Sequence, residues 1–238
     1  CICAGLPVAE AVFTELSAHC TIVRRVTEGQ RCAAGTILAE IAGPGRAILT
    51  GERVALNFMQ RLSGIATLTR RVVDAAKGHA VTILDTRKTT PGLRILEKYA
   101  VTVGGGENHR MGLYDRIMIK DNHRLVASLE GPGGIRRAVA ACRTAHPDLE
   151  IEVEADTLEE VEEAAAAGVE YILLDNMSDD EMSVAVARVN GRSLLEASGG
   201  ITLDRIPAIA ATGVDFISVG ALTHTVKNHD FTLLFEEV

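Results

Sequence analysis

From residue 79 onward the chain alternates short apolar runs with helix-like stretches, and this rhythm constrains the fold more than any other feature. Runs at 81–84, 100–103, 116–119, 149–153, 171–174, 193–195 and 216–219 give seven candidate strands. Helical candidates at 91–99, 125–145, 157–167, 178–190 and 202–211 separate most of them. Thr157 and Glu160 stand at capping-box spacing, ahead of an Ala-rich stretch that stops at Gly168. Strands alternating with helices imply parallel βα units, and a succession this long predicts an α/β barrel. A parallel sheet is buried on both faces and needs aliphatic side chains. Aromatic residues make up only 3% and Trp is absent, so Ala, Val, Leu and Ile must fill the core.

The first 52 residues have another texture. β segments are predicted at 21–26, 36–41 and 46–50, punctuated by Gly29, Gly35, Gly43, Pro44 and Gly45. A short helix is predicted over Leu6–Leu16. A long one follows from about Glu52 to Ala76, with Val54, Phe58, Leu62, Ile65 and Leu68 on its apolar face. Two domains are therefore expected: a small N-terminal α/β domain over 1–52 and the barrel over 53–238, with the extreme C-terminus packing back on the small domain. The chain opens on Cys1 rather than Met, so further residues are expected to precede it. Five cysteines without a CxxC pair fit reduced thiols and not a zinc site. No apolar run has the length of a membrane span and no signal-peptide pattern opens the chain, so a cytoplasmic location is expected.

Chemistry gathers where the strands end: Asp85–Lys88, Gly104–Gly106, Lys120–His123, Glu154–Asp156, Asp175–Asn176, Glu196–Gly200 and Gly220–His224. Parallel α/β barrels place their active sites at the C-terminal ends of the strands. Solvated loops with helix caps would account for two or three of these ends, not for all seven.

The net charge of −8 argues against wholesale binding of nucleic acid or a membrane surface. Between Asp85 and Arg124, however, eight basic and five acidic residues give 8 − 5 = +3. A local basic excess in an acidic chain points to a small, highly anionic ligand. Arg94 and Lys98 read as surface cations of the 91–99 helix. Glu154 and Asp175 end neighbouring strands and can converge, as the protein share of an Mg²⁺ site or as a general acid–base pair. Glu152, two residues before Glu154, points the same way and is expected to be buried and paired inside the barrel. Ser198-Gly199-Gly200 before a helix start, and Gly220 with the loop to His224, suit phosphate. Gly104–Gly106 lacks the spacing of a dinucleotide fingerprint. At this level the residues describe a phosphate-dependent transferase or an aldolase-like barrel with Lys120 as Schiff-base lysine.

The segments Asp85–Gly92, Gly104–Leu113 and Ile119–His123 resemble quinolinate phosphoribosyltransferase, also called nicotinate-nucleotide pyrophosphorylase (carboxylating). So do Glu52–Asn57, Leu62–Thr67, Ile172–Asn176, Ser198–Gly200 and Val219–His224, eight blocks in order over nearly the whole chain. The resemblance implies a seven-stranded open α/β barrel with a smaller N-terminal α/β domain, the type II phosphoribosyltransferase architecture, and a homodimer. It implies that quinolinate is held by Arg53 from the partner subunit and by Arg87, His109 and Arg110. Lys88 and Lys120 would contact the phosphoribosyl donor, and Glu154 and Asp175 would hold Mg²⁺ or ribose hydroxyls. These four are the expected catalytic residues. Ser198, Gly199, Gly200 and Gly220 would contact phosphate, with His224 beside it. A molybdenum-transport-associated paralogue shares two of the blocks, but the intact Lys120–His123 block favours the biosynthetic enzyme. Nicotinate or nicotinamide phosphoribosyltransferases bind a ring with one acid or amide group and would not need so many Arg residues. An inactive scaffold need not keep so complete a charged set.

Overall fold

The computed structural model describes residues 1–129 and 131–235, which form two compact units. The first comprises residues 1–71, 88–107 and the chain from Gly220 on; the second comprises 72–87 and 108–219.

The first unit opens with α1 (Leu6–Leu16), started by Pro7 in its first turn and by Glu28, whose carboxylate accepts the Gly5 and Leu6 amides at 3.0 and 2.8 Å. Two short antiparallel strands follow, β1 (Thr21–Arg24) and β2 (Ala39–Ala42). Then comes α2 (Gly45–Ala75), 31 residues long. The stretch at 46–50, expected as a β segment, is the start of α2. Buried Ile48, Ala55, Met59, Leu62 and Ala66 continue one another at helical spacing, so the apolar face reaches back before Glu52. Leu6, Phe13, Cys20, Val26, Ile48 and Met59 form a core, and Phe231 and Leu233 pack against it.

The second unit holds a parallel sheet of six strands: β3 (Thr82–Leu84), β4 (Ile117–Ile119), β5 (Ile151–Ala155), β6 (Tyr171–Asp175), β7 (Leu194–Ser198) and β8 (Phe216–Ser218). Their order is β3-β8-β7-β6-β5-β4, so the first strand pairs with the last and the ring opens between β3 and β4. This is an open barrel of parallel strands, with one strand fewer than expected. Residues 100–103 lie instead in α3 (Arg94–Gly104) of the first unit. Glu97, Lys98, Ala100, Val101 and Gly104 are its buried residues, and the spacing of three and four among them is one that a four-residue apolar run hides. Gly104–Gly106 therefore ends a helix, with Gly105 as its C-cap.

The predicted 125–145 helix is two, α4 (Asp121–Ser128) and α5 (Gly134–Ala145), on either side of Pro132, which cannot continue a helix. The other barrel helices are α6 (Leu158–Ala166), α7 (Asp179–Val189) and α8 (Ile206–Ala211). Thr157 caps α6 through the Glu160 amide, while the Glu160 carboxylate reaches back to Asp156 N–H. Ile83, Ile119, Ile151, Val153, Ile172, Leu174, Leu195 and Ile217 are each at most 3% exposed. They form the outward face, against which α5 and α6 pack. Burying each such side chain contributes about 1.5–3 kcal/mol, so the outer face can hold the fold and leave the inner face to polar groups.

Candidate active site

Side chains alternate along a strand. With Ile151, Val153 and Ala155 turned outward, Glu152 and Glu154 of β5 turn into the barrel. Glu154 is registered with Leu173, and Leu173 with Glu196; Asp175 is registered with Ser198 at the strand ends. Acidic residues thus rise in rows along the inner face.

The most buried of these charges surround His109. Its Nε2 lies 3.2 Å from Glu152 Oε2 and 3.3 Å from Glu196 Oε2, both carboxylates being fully buried. Its Nδ1 accepts the Arg110 N–H at 2.7 Å, and its own N–H donates to Asp85 Oδ1 at 2.9 Å. Burial works to lower the His109 pKa, but the hydrogen bonds and charges of Glu152 and Glu196 outweigh it and raise the value to about 9. The Arg110 N–H acts in the opposite sense, because only an unprotonated Nδ1 can accept it, which assigns the proton of the neutral ring to Nε2. Burial and the negative charge of Glu152 push Glu196 up. Glu152 is also buried, yet His109 and Arg116 bring it down. Arg116 sits 3.6 Å from Glu152 and stacks 3.9 Å over the Tyr171 ring. His109, Glu152 and Glu196 offer one nitrogen and two oxygens close enough to share a cation.

Nearer the strand ends, Lys120 Nζ donates to Glu154 Oε2 at 2.9 Å. Lys120 Nζ is held by a carboxylate instead of standing open to a carbonyl carbon, which weakens the aldolase reading. Asp175 Oδ2 accepts from Asn176 Nδ2 at 2.9 Å, and Ser218 Oγ meets Ser198 Oγ at 3.1 Å. Gly199 is pressed against Asn176: a Cβ there would lie 2.8 Å from the Asn176 backbone nitrogen. Buried Arg110 donates to the Arg116 carbonyl at 2.9 Å; burial, and then the charge of Arg87, lower its pKa.

Arg87, His109, Arg110, Lys120, Glu154, Asp175 and Ser198–Gly200 all belong to the barrel unit. Arg53, Lys88, Gly220 and His224 belong to the first. There, a Cβ on Gly220 would lie 3.2 Å from Lys88 Cδ and 3.0 Å from His224 Nε2, so these three come together. Thr223 Oγ1 donates to the Lys88 carbonyl at 2.7 Å. Arg61 braces the same loops, donating to Thr90 Oγ1 at 2.8 Å, to the Thr223 carbonyl at 3.1 Å and to fully buried Glu97 at 2.5 Å. Sequence reasoning missed Arg61 and Glu97, which lie on helix faces with no motif around them. It also took Lys98 for a surface cation, and Lys98 is fully buried. Glu196 carried a visible signal, the alternation of Leu195 and Ala197 about it. A concavity of about 730 Å³ in the first unit is lined by Leu6, Phe13, Ile41, Met59 and Phe231 among others, and by none of the expected site residues.

Comparison with known proteins agrees along the whole chain. The family described as "Quinolinate phosphoribosyl transferase, C-terminal domain" matches residues 65–234, and the corresponding N-terminal domain family matches residues 1–63. A Bacillus subtilis protein named probable nicotinate-nucleotide pyrophosphorylase [carboxylating] is 46% identical over 98% of this chain and 79% of its own length. Quinolinate phosphoribosyltransferase [decarboxylating] 1b of Nicotiana tabacum is 42% identical over 98% of this chain and 70% of its own. The crystal structure of NadC from Streptococcus pyogenes superposes with a TM-score of 0.91 at 44% identity, covering 97% of this chain and 80% of that one.

Proposed function

The chain belongs to the quinolinate phosphoribosyltransferase family, and from that premise we infer that it transfers phosphoribosyl from phosphoribosyl pyrophosphate to quinolinate with decarboxylation. The products are nicotinate mononucleotide, pyrophosphate and CO₂, in de novo NAD biosynthesis. The observation that carries this reading is a charged set at the strand ends of a chain matched by the family over residues 1–63 and 65–234. The molybdenum-transport-associated alternative is not favoured, since the curated relatives carry the biosynthetic name.

Quinolinate presents two carboxylates on a pyridine ring. Arg87 and Arg110 suit them, because a guanidinium grips a carboxylate through two parallel hydrogen bonds. Held in this way, the ring nitrogen is turned toward the anomeric carbon of the donor, an orientation effect. As pyrophosphate departs, Lys88 and Lys120 supply positive charge to the phosphoribosyl donor. The pyridine nitrogen bonds to the anomeric carbon, and the ring becomes a pyridinium. The electron pair of the breaking C–CO₂ bond stays on the ring carbon beside the pyridinium nitrogen, whose positive charge stabilises it, CO₂ leaves, and a proton from water takes its place on that carbon. No nucleophile from the protein is required. Amides of Ser198–Gly200 suit the 5′-phosphate, and the family resemblance assigns Gly220 and His224 to phosphate as well.

Glu154 and Asp175 fit an Mg²⁺ ion by the chemistry of their donors. Each has one oxygen engaged, by Lys120 and by Asn176, and Mg²⁺ needs only one or two protein carboxylates beside water and substrate phosphate. Bound there, Mg²⁺ would stabilise charge on the leaving pyrophosphate. The family resemblance further supports a homodimer with Arg53 contributed across its interface. Among the described residues no helix is long and apolar enough to cross a membrane, and a cytoplasmic location is proposed.

Incubation with quinolinate, phosphoribosyl pyrophosphate and Mg²⁺ should release CO₂ and nicotinate mononucleotide, and chelation of Mg²⁺ should stop it. Product from nicotinate but none from quinolinate would overturn the reading. Mixing inactive Arg53→Ala and Arg87→Ala subunits should restore part of the activity; no recovery would remove Arg53 from the partner's site.

A further inference from the structure

We propose that Glu152 and Glu196 are positioning residues, which turn the His109 ring so that its Nδ1 anchors the Arg110 amide and so aims Arg110 at the pyridine dicarboxylate. This rests on the reading of the chain as a quinolinate phosphoribosyltransferase.

Both nitrogens of the His109 ring are engaged by the protein. Nε2 faces Glu152 and Glu196 at 3.2 and 3.3 Å, and Nδ1 holds the Arg110 N–H at 2.7 Å. With both ring nitrogens engaged by the protein, His109 holds its neighbour directly. The backbone is clamped on both sides of this residue, since the preceding amide is fixed on buried Asp85. Arg110 itself is tied at one guanidinium nitrogen to the Arg116 carbonyl. Bidentate recognition of a carboxylate depends on a fork fixed in direction, and these bonds fix it.

The two carboxylates do what apolar side chains could not. Burying an ion costs several kcal/mol even when it is paired, and apolar residues of equal volume commonly give an equally stable or a more stable core. Here two wholly buried carboxylates converge on a single imidazole. With an acceptor on each side of Nε2, the ring proton is held there and Nδ1 is kept as an acceptor. Take both carboxylates away and the ring is free to carry its proton on Nδ1, which repels the Arg110 N–H. The same three groups have the composition of a cation site. The Arg116 guanidinium 3.6 Å from Glu152 and the Nε2 proton facing both acids suit the clamp instead.

Three variants test this: Glu196→Leu, Glu196→Gln and the shape-preserving double change Glu152→Gln with Glu196→Gln. The wild-type protein must first convert quinolinate; if it does not, the functional reading fails and the clamp with it. In folded Glu196→Leu and in the double variant, the KM for quinolinate should rise about tenfold, equivalent to roughly 1.4 kcal/mol. The KM for phosphoribosyl pyrophosphate should hold, and kcat should change much less. Glu196→Gln alone keeps the Glu152 carboxylate as a fixed acceptor and adds an amide oxygen as the second, which Glu196→Leu lacks, whereas in the double variant both amides can turn an N–H to Nε2. The single change to Gln should therefore restore most of the quinolinate affinity. Ring ¹⁵N spectra should give an unprotonated Nδ1 for His109 in the wild type and in Glu196→Gln, and a mixture of tautomers in the double variant. The double variant keeps volume and shape, so it carries the test should Glu196→Leu fail to fold. An unchanged quinolinate KM, or equal losses in kcat and both KM values, overturns the clamp while leaving the activity assignment standing.

Discussion

Replacing Gly199 by Ala probes how tightly the β6 and β7 ends are drawn together. Gly199 has φ +87°, in the left-handed region, where an L side chain costs about 1–2 kcal/mol. A Cβ there would also lie 2.3 Å from Asn176 Oδ1 and 2.8 Å from the Asn176 backbone nitrogen. The amide side chain can turn away, but that nitrogen donates to the Ser198 carbonyl at 3.0 Å, and moving it breaks the strap between the two loops. Overpacking of this kind adds about 1–3 kcal/mol. The sum is roughly 2–5 kcal/mol, a fall of roughly 5–15 °C in Tm for a chain of this length. Gly191→Ala is the control: Gly191 has φ +77° but open space around it, so it should lose only about 1–2 kcal/mol. Calorimetry on both variants isolates the crowding. The KM for phosphoribosyl pyrophosphate should rise in Gly199→Ala and hold in Gly191→Ala. If the two variants melt within a degree of each other and share a donor KM, the close approach is wrong.

Stability should depend on pH through Glu196. Burial and the charge of Glu152 raise its pKa, so its contribution is fully present below the ordinary carboxylate value of about 4.3 and is lost as pH rises through the raised one. Denaturation from about pH 4 upward should show the loss, Glu196→Gln should flatten it, and an equal slope in that variant would count against the buried pair. Arg61→Ala leaves buried Glu97 without its cation and should cost about 3 kcal/mol. Adding Glu97→Gln should recover part of this loss, whereas strictly additive losses would deny the coupling. Thr157→Ala removes the α6 cap and should lower stability by about 1 kcal/mol, measured by urea denaturation; no change would mean the cap is replaced by water.

The sequence by itself determined the features that repeat within a short window. Alternation in Ile151-Glu152-Val153-Glu154-Ala155 already separates an apolar outer face from an acidic inner one. The apolar spacing and Pro7 delimit α1, and reactive groups follow every strand of the barrel. Period and local chemistry need only neighbouring residues, so they are legible before folding. Four consecutive apolar residues at 100–103 lack that information, because a strand and a buried helix segment look alike at this length. Only packing of Ala100 and Val101 on one helical face distinguishes them. The partner of each buried charge was likewise decided by tertiary structure. Glu152 was expected to be paired inside the barrel, but nothing local names His109, 43 residues away, or adds Glu196 from a third segment. Closure of the barrel brings these three together, and Lys98 and Glu97 are buried by contacts that no helical pattern of their own records. Hydrophobic periodicity is a property of the chain, whereas desolvation and ion pairing belong to the folded ensemble of neighbours, and for that reason the site's outline was readable and its clamp was not.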